Sequence, residues 1–121
     1  MTSRRPAPLL ALVLLSAFAS ACNRGPSKND LYMEGLQIEG DAERGPCKLH
    51  YQEGQPAALL SGDALTNCLA RTKEALGKYD EAARLGLDDA DFAKVHQRAK
   101  DRVTRLEEML TQVRKMEHGI E

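Results

Sequence analysis

The chain has 121 residues with 17 basic and 18 acidic side chains, 42% hydrophobic residues, only 4% aromatics and no tryptophan. Residues 1–21 read as an export signal that holds two arginines and no acid, so the remaining 100 residues carry 15 basic against 18 acidic groups, enough chain for one small domain. That balance argues against a general nucleic-acid binder, and the residual aromatics Tyr32, Tyr51, Tyr79 and Phe92 predict a thin, mostly aliphatic core.

Arg4 and Arg5 form a charged n-region, Leu9 to Ala17 a short apolar stretch, and Ala19-Ser20-Ala21 a small-residue cleavage site. The apolar stretch is too short to span a bilayer. With Cys22 directly following, Ala19-Ser20-Ala21-Cys22 resembles the lipobox of bacterial lipoproteins. The resemblance implies cleavage before Cys22, a diacylglycerol on its thiol and acylation of the new amino group. It also implies a place in the cell envelope. Asn23 is not the aspartate that holds lipoproteins in the inner membrane under the best-known sorting rule, so the outer membrane is favoured. Soluble secretion by cleavage at the same bond is the alternative. Cysteine parity favours lipidation: three cysteines leave one odd, and a thioether at Cys22 leaves Cys47 and Cys68 as a pair.

Residues 22–29 are polar with Gly25 and Pro26, as expected of a flexible tether, and residues 30–121 form the single helical domain. Leu31, Tyr32, Leu36 and Ile38 predict a short helix over about 30–39, ended by Gly40. Gly45, Pro46, Gly54, Pro56 and Gly62 then predict a long irregular connection over 41–62, with one helical turn at 57–60. A Cys47 to Cys68 disulfide would restrain it. The competing possibility is a metal or redox site built from Cys47, His50 and Cys68, which lacks a fourth ligand nearby in sequence.

Leu65, Leu69, Thr72, Leu76, Tyr79 and Ala83 alternate at spacings of four and three, a heptad seam, with Cys68, Ala75 and Ala82 as a flanking row of small residues. Leu85-Gly86-Leu87-Asp88 then stops one helix and starts the next, with Asp88 as cap. Phe92, Ala99, Leu106, Val113 and Ile120 repeat every seven residues, with Val103 and Leu110 alternating. The expected fold is therefore all-α: a short N-terminal helix and a long antiparallel hairpin of about 63–85 and 89–118, coiled-coil-like or TPR-like. Glu74 to Lys78, Asp80 to Arg84 and Asp101 to Arg105 are expected i,i+4 pairs. At Gly77-Lys78-Tyr79-Asp80-Glu81-Ala82 the chain is similar to the second-helix start of a tetratricopeptide repeat, which implies a helix break at Gly77 and a protein-binding role; the unbroken heptad implies one continuous helix.

Phosphate loops, nucleophile elbows, H-E-x-x-H and paired C-x-x-C motifs do not occur, so a non-enzyme without cofactor is expected. His96 falls on the seam opposite Tyr79, as a packed histidine. Lys94, Arg98, Arg102 and Arg105 form one ribbon, a solvated face or a surface for anionic lipid or polymer, with Asp101 within it. If residue 85 pairs with about 89, Leu65 faces about Leu110 and the last helix overhangs its partner. Met109, Met116 and Ile120 then become candidate partner-binding residues, unless the N-terminal helix covers them. The reading that follows is a membrane-anchored lipoprotein binding another envelope protein, as an assembly factor or accessory subunit of a secretion, pilus or motility machine. The alternative is a periplasmic metal-binding or thiol-redox protein.

Overall fold

The computed structural model describes residues 25–51 and 61–119. Three helices account for most of them: α1 (Lys28–Arg44), α2 (Gly62–Arg84) and α3 (Ala90–Glu117). The hairpin lies within one residue of its expected bounds, because both helices carry strong local stop and start signals. Ser61 caps α2 by accepting from the Ala64 amide at 3.1 Å. Gly86, at φ +99°, ends it: its N–H donates to Ala83 O (2.9 Å) and that of Leu87 to Ala82 O (3.0 Å), the crossed pair of a Schellman turn. The cap of α3 is Asp89, not Asp88; its carboxylate accepts the Phe92 amide at 2.7 Å.

The N-terminal helix is longer than expected at both ends. Ser27 and Asp30 form a reciprocal capping box that starts α1 at Lys28, within the stretch assigned to the tether. Gly40 does not stop it; α1 continues to Arg44, because Ala42 is fully buried against the bundle and that packing outweighs the helix cost of one glycine, about 1 kcal/mol. The first part of the connection, residues 45–51, turns back over the bundle. The expected turn at 57–60 lies outside the described residues, as do Cys22 and Ile120. At Gly77 α2 runs on unbroken, with nothing near the position a Cβ would take, so the break implied by the repeat-like motif is absent.

Chain reversal makes α1 and α3 each antiparallel to α2, and α1 also meets α3 directly, through Tyr32 against Phe92 and through Glu39. The small row explains how α2 serves two neighbours: Cys68, Ala75 and Ala82 are all fully buried and let α1 approach closely. Closest approach falls at Gly35, where a Cβ would overlap the Tyr79 ring. The core divides into two lobes. At the hairpin-turn end, Tyr32, Tyr79 and Phe92, one from each helix, meet edge to face with centroids 5.2–6.3 Å apart. At the other end Leu65, Leu69, Leu106, Leu110 and Val113 pack beneath Ala42 and Cys47.

The hairpin register differs from expectation. The Gly62 amide donates to Glu117 Oε1 at 2.9 Å, so α2 and α3 end nearly level, and Val113 is 1% exposed in the core rather than overhanging. The four-residue offset assumed across the turn was too tight: His96 reaches Asp80 at 2.7 Å, a pairing that shifts α3 along α2. Met109 is half-buried against the lower lobe, whereas Met116 is 52% exposed.

Candidate functional site

Cys47 and Cys68 lie at disulfide distance, with Sγ atoms 2.10 Å and Cα atoms 4.8 Å apart, and both are fully buried. Cys47 stands just beyond α1, where its amide donates to Ala42 O at 2.7 Å; Cys68 is in the small row of α2. The residues that follow are held by a short polar chain. Tyr51 Oη is 2.8 Å from Thr72 Oγ1, and the Thr72 hydroxyl donates to Cys68 O at 2.9 Å, so Tyr51 donates inward. His50 is buried, and its Nδ1 donates to Pro46 O at 3.0 Å. Among the described residues no three His, Cys, Asp or Glu side chains converge as a metal site would require.

Anchored in this way, Tyr51 stands beside α3 and borders an open cleft of about 540 Å³ lined by Lys94, Arg98, Arg102 and Arg105 of the ribbon together with Gln97 and Asp101. Glu39 organises the ribbon from behind. This α1 carboxylate is 3% exposed, yet it accepts the Tyr79 hydroxyl (2.5 Å), Arg98 Nη2 (3.1 Å) and Arg102 Nη1 (2.6 Å). Burying it is sustainable because both oxygens are paired with charged donors. Arg102 is fixed a second time, its guanidinium carbon 4.0 Å from the centroid of the Tyr51 ring. Arg105 donates to the His50 carbonyl at 3.3 Å.

The surface pairs expected along single helices are replaced. Lys78 bonds Glu34 of α1 at 3.1 Å, while Glu74 takes Arg71 at 2.6 Å. Asp80 pairs with His96, which packs near Tyr79 as expected, and Arg84 with Glu81. Asp101 accepts from Gln97 at 3.0 Å rather than from Arg105. The general reason is that an i,i+4 pair contributes only about 0.2–0.5 kcal/mol, so a nearby partner on the same or another element displaces it easily. Sequence reasoning placed the cationic ribbon and His96 but missed Glu39 and Tyr51. A usable signal was present for the first: Leu31, Gly35, Glu39 and Ala42 follow helical spacing, which places a carboxylate in the buried stripe of α1.

Comparison with known proteins finds no matching family model, no similar curated protein and no similar solved structure. No described helix is long and apolar enough to cross a membrane.

All three tyrosines of the chain have phenol pKa values raised above the ordinary value of 10.0. Burial is the main cause for each; Tyr79 is raised furthest, with its hydrogen bond to the Glu39 carboxylate the next cause. The fold therefore favours neutral phenols. Their stabilisation is intact below about pH 10, the unfolded value, and is lost as pH rises above it toward the folded values. Phenolate absorbance is expected to stay low through pH 10 and then rise cooperatively together with the loss of helical circular dichroism. Complete ionisation near pH 10 with the helices intact would contradict the full burial of Tyr79 and the partial burial of Tyr32 and Tyr51.

Proposed function

We propose that this chain is a lipid-anchored, non-catalytic adaptor of the bacterial cell envelope that binds another envelope protein through the cleft face of α3. The observation that carries the reading is the cleft itself: a cationic surface set in fixed geometry by a buried carboxylate and an aromatic ring, an arrangement suited to binding. Anchoring is supported by the lipobox-like Ala19-Ser20-Ala21-Cys22 and by the proximity of Cys47 to Cys68, which leaves Cys22 as the odd cysteine.

In this reading the acylated Cys22 holds the domain to the outer membrane. Because α1 begins at Lys28, the five intervening residues reach at most about 18 Å, so the end of the bundle that carries the α2–α3 turn lies toward the lipid. Met116, exposed at the far end, is a second contact for the partner beside half-buried Met109, and Ile120 lies just beyond it in sequence.

Fractionation of wild type and Cys22→Ser tests the anchor: the wild type is expected in membranes with an acyl mass on its N-terminal peptide, the variant in the soluble periplasm. Crosslinking in intact cells followed by purification from detergent-solubilised membranes tests the adaptor role. A discrete partner band is expected, diminished when Lys94 and Arg105 are both changed to Glu. An unmodified wild-type protein in the soluble fraction, or a lipid-anchored protein that crosslinks to no discrete partner, would contradict the reading; crosslinks unchanged in the variant would move the contact off the cleft face.

A further inference from the structure

The cleft has a chemistry that specifies its occupant more closely than the adaptor role does. It is an open cleft of about 540 Å³, with room to receive side chains of a partner. Four cations line or border it, against the two carboxylates Glu39 and Asp101. Arg98 and Arg102 each give one nitrogen to Glu39, and a guanidinium has five N–H donors, so donors remain on groups already held in place. Such groups lose little freedom when a ligand arrives. Among the described residues neither Lys94 nor Arg105 has a carboxylate within 4.0 Å.

A solvated row of long basic side chains would be mobile and self-repelling. Here Glu39 and Tyr51 hold two members of the row in one orientation. The row rises about 16 Å along α3 from Lys94 to Arg105, a length that an extended segment of about five residues covers. We infer that the cleft receives an extended, Asp- or Glu-bearing segment of the protein partner, its carboxylates taken by Lys94, Arg105 and the spare donors of Arg98 and Arg102. The inference rests on the adaptor reading and names what that partner presents. An anionic lipid surface fits less well. The bundle end nearest the tether exposes Asp30, Asp88, Asp89 and Asp91, which repel anionic headgroups, and the cleft runs along the side of the molecule.

The test uses full-length acylated protein in neutral detergent and a fluorescent, end-blocked hexaglutamate peptide, read by anisotropy. Saturable binding is expected at low salt, weakening as salt rises. Lys94→Glu with Arg105→Glu should weaken it at least tenfold while the helical circular dichroism is unchanged, since neither residue touches Glu39. Lys73→Glu with Lys100→Glu, the same charge change at exposed positions away from the cleft lining, should leave it within twofold. The inference is overturned if the peptide does not bind, if both double variants lose binding equally, or if phosphatidylglycerol vesicles bind more tightly than the peptide and lose binding in the same cleft variant. Its failure is separable from that of the adaptor reading. A partner that crosslinks undiminished to a cleft variant unable to bind peptide removes the cleft and keeps the adaptor; peptide binding by a protein that crosslinks to nothing does the reverse.

Discussion

Replacing Glu39 with Ala is expected to destabilise the domain by about 3 kcal/mol, seen as a lower urea midpoint and a melting temperature reduced by roughly 15 °C. The substitution removes the acceptor of three groups at once: the Tyr79 hydroxyl, Arg98 and Arg102. Tyr79 is fully buried and its hydroxyl would lose its partner; the Arg102 side chain is 18% exposed and would keep its charge beside the core. The figure is held at the lower end of the range for broken buried pairs, because the Arg98 side chain is 47% exposed and can return to water. Two companion variants identify the cause. Tyr79→Phe should cost much less in the Glu39→Ala background than in wild type, because the shared bond is already gone. Glu39→Leu combined with Arg102→Met should recover part of the loss, since a packed apolar pair carries no desolvation cost. A loss below 1 kcal/mol for Glu39→Ala would mean that water satisfies the orphaned groups.

The second large effect concerns the cysteines. Changing Cys47 and Cys68 together to Ala is expected to lower stability by about 3 kcal/mol, the chain-entropy value for a closed loop with their sequence separation of 21. Most of the helix should survive at moderate temperature, because α2 and α3 retain their caps and their shared core. The damage should be local. Tyr51 and His50 follow Cys47 directly, so hydrogen exchange is expected to rise first in residues 45–51, and hexaglutamate binding to weaken, before the hairpin opens. Intact mass after alkylation without reductant checks the premise: no alkylated thiol is expected at Cys47 or Cys68, and two would exclude the bond in solution.

These two effects divide between what could be read from the sequence and what could not. The pairing of Cys47 with Cys68 was legible, because cysteine parity and a breaker-rich connection are properties of the chain itself. So was the hairpin. Its seam repeats over several heptads, and Gly86 acts on the backbone within a few residues, so local chemistry sufficed to place α2 and α3 within one residue. The cationic ribbon followed from helical spacing alone.

For Glu39 helical spacing marks only the buried stripe of α1; the partners that make its burial sustainable belong to the other class. Nothing within four residues of it in sequence provides a cation to pay for its burial; Arg98 and Arg102 lie about 60 positions away. Only the meeting of three helices decides that this carboxylate is enclosed while Glu34 and Glu43 on the same helix remain at the surface. The same dependence explains the length of α1, whose last turn is kept by burying Ala42, and the level ends of α2 and α3, where a contact between Asp80 and His96 and one between Gly62 and Glu117 settle a register that periodicity leaves open by a turn. Repeats and caps are short-range properties that each helix carries alone, whereas register, burial of charge and the cleft between α3 and Tyr51 depend on side chains far apart in the chain competing for the same space and the same hydrogen bonds.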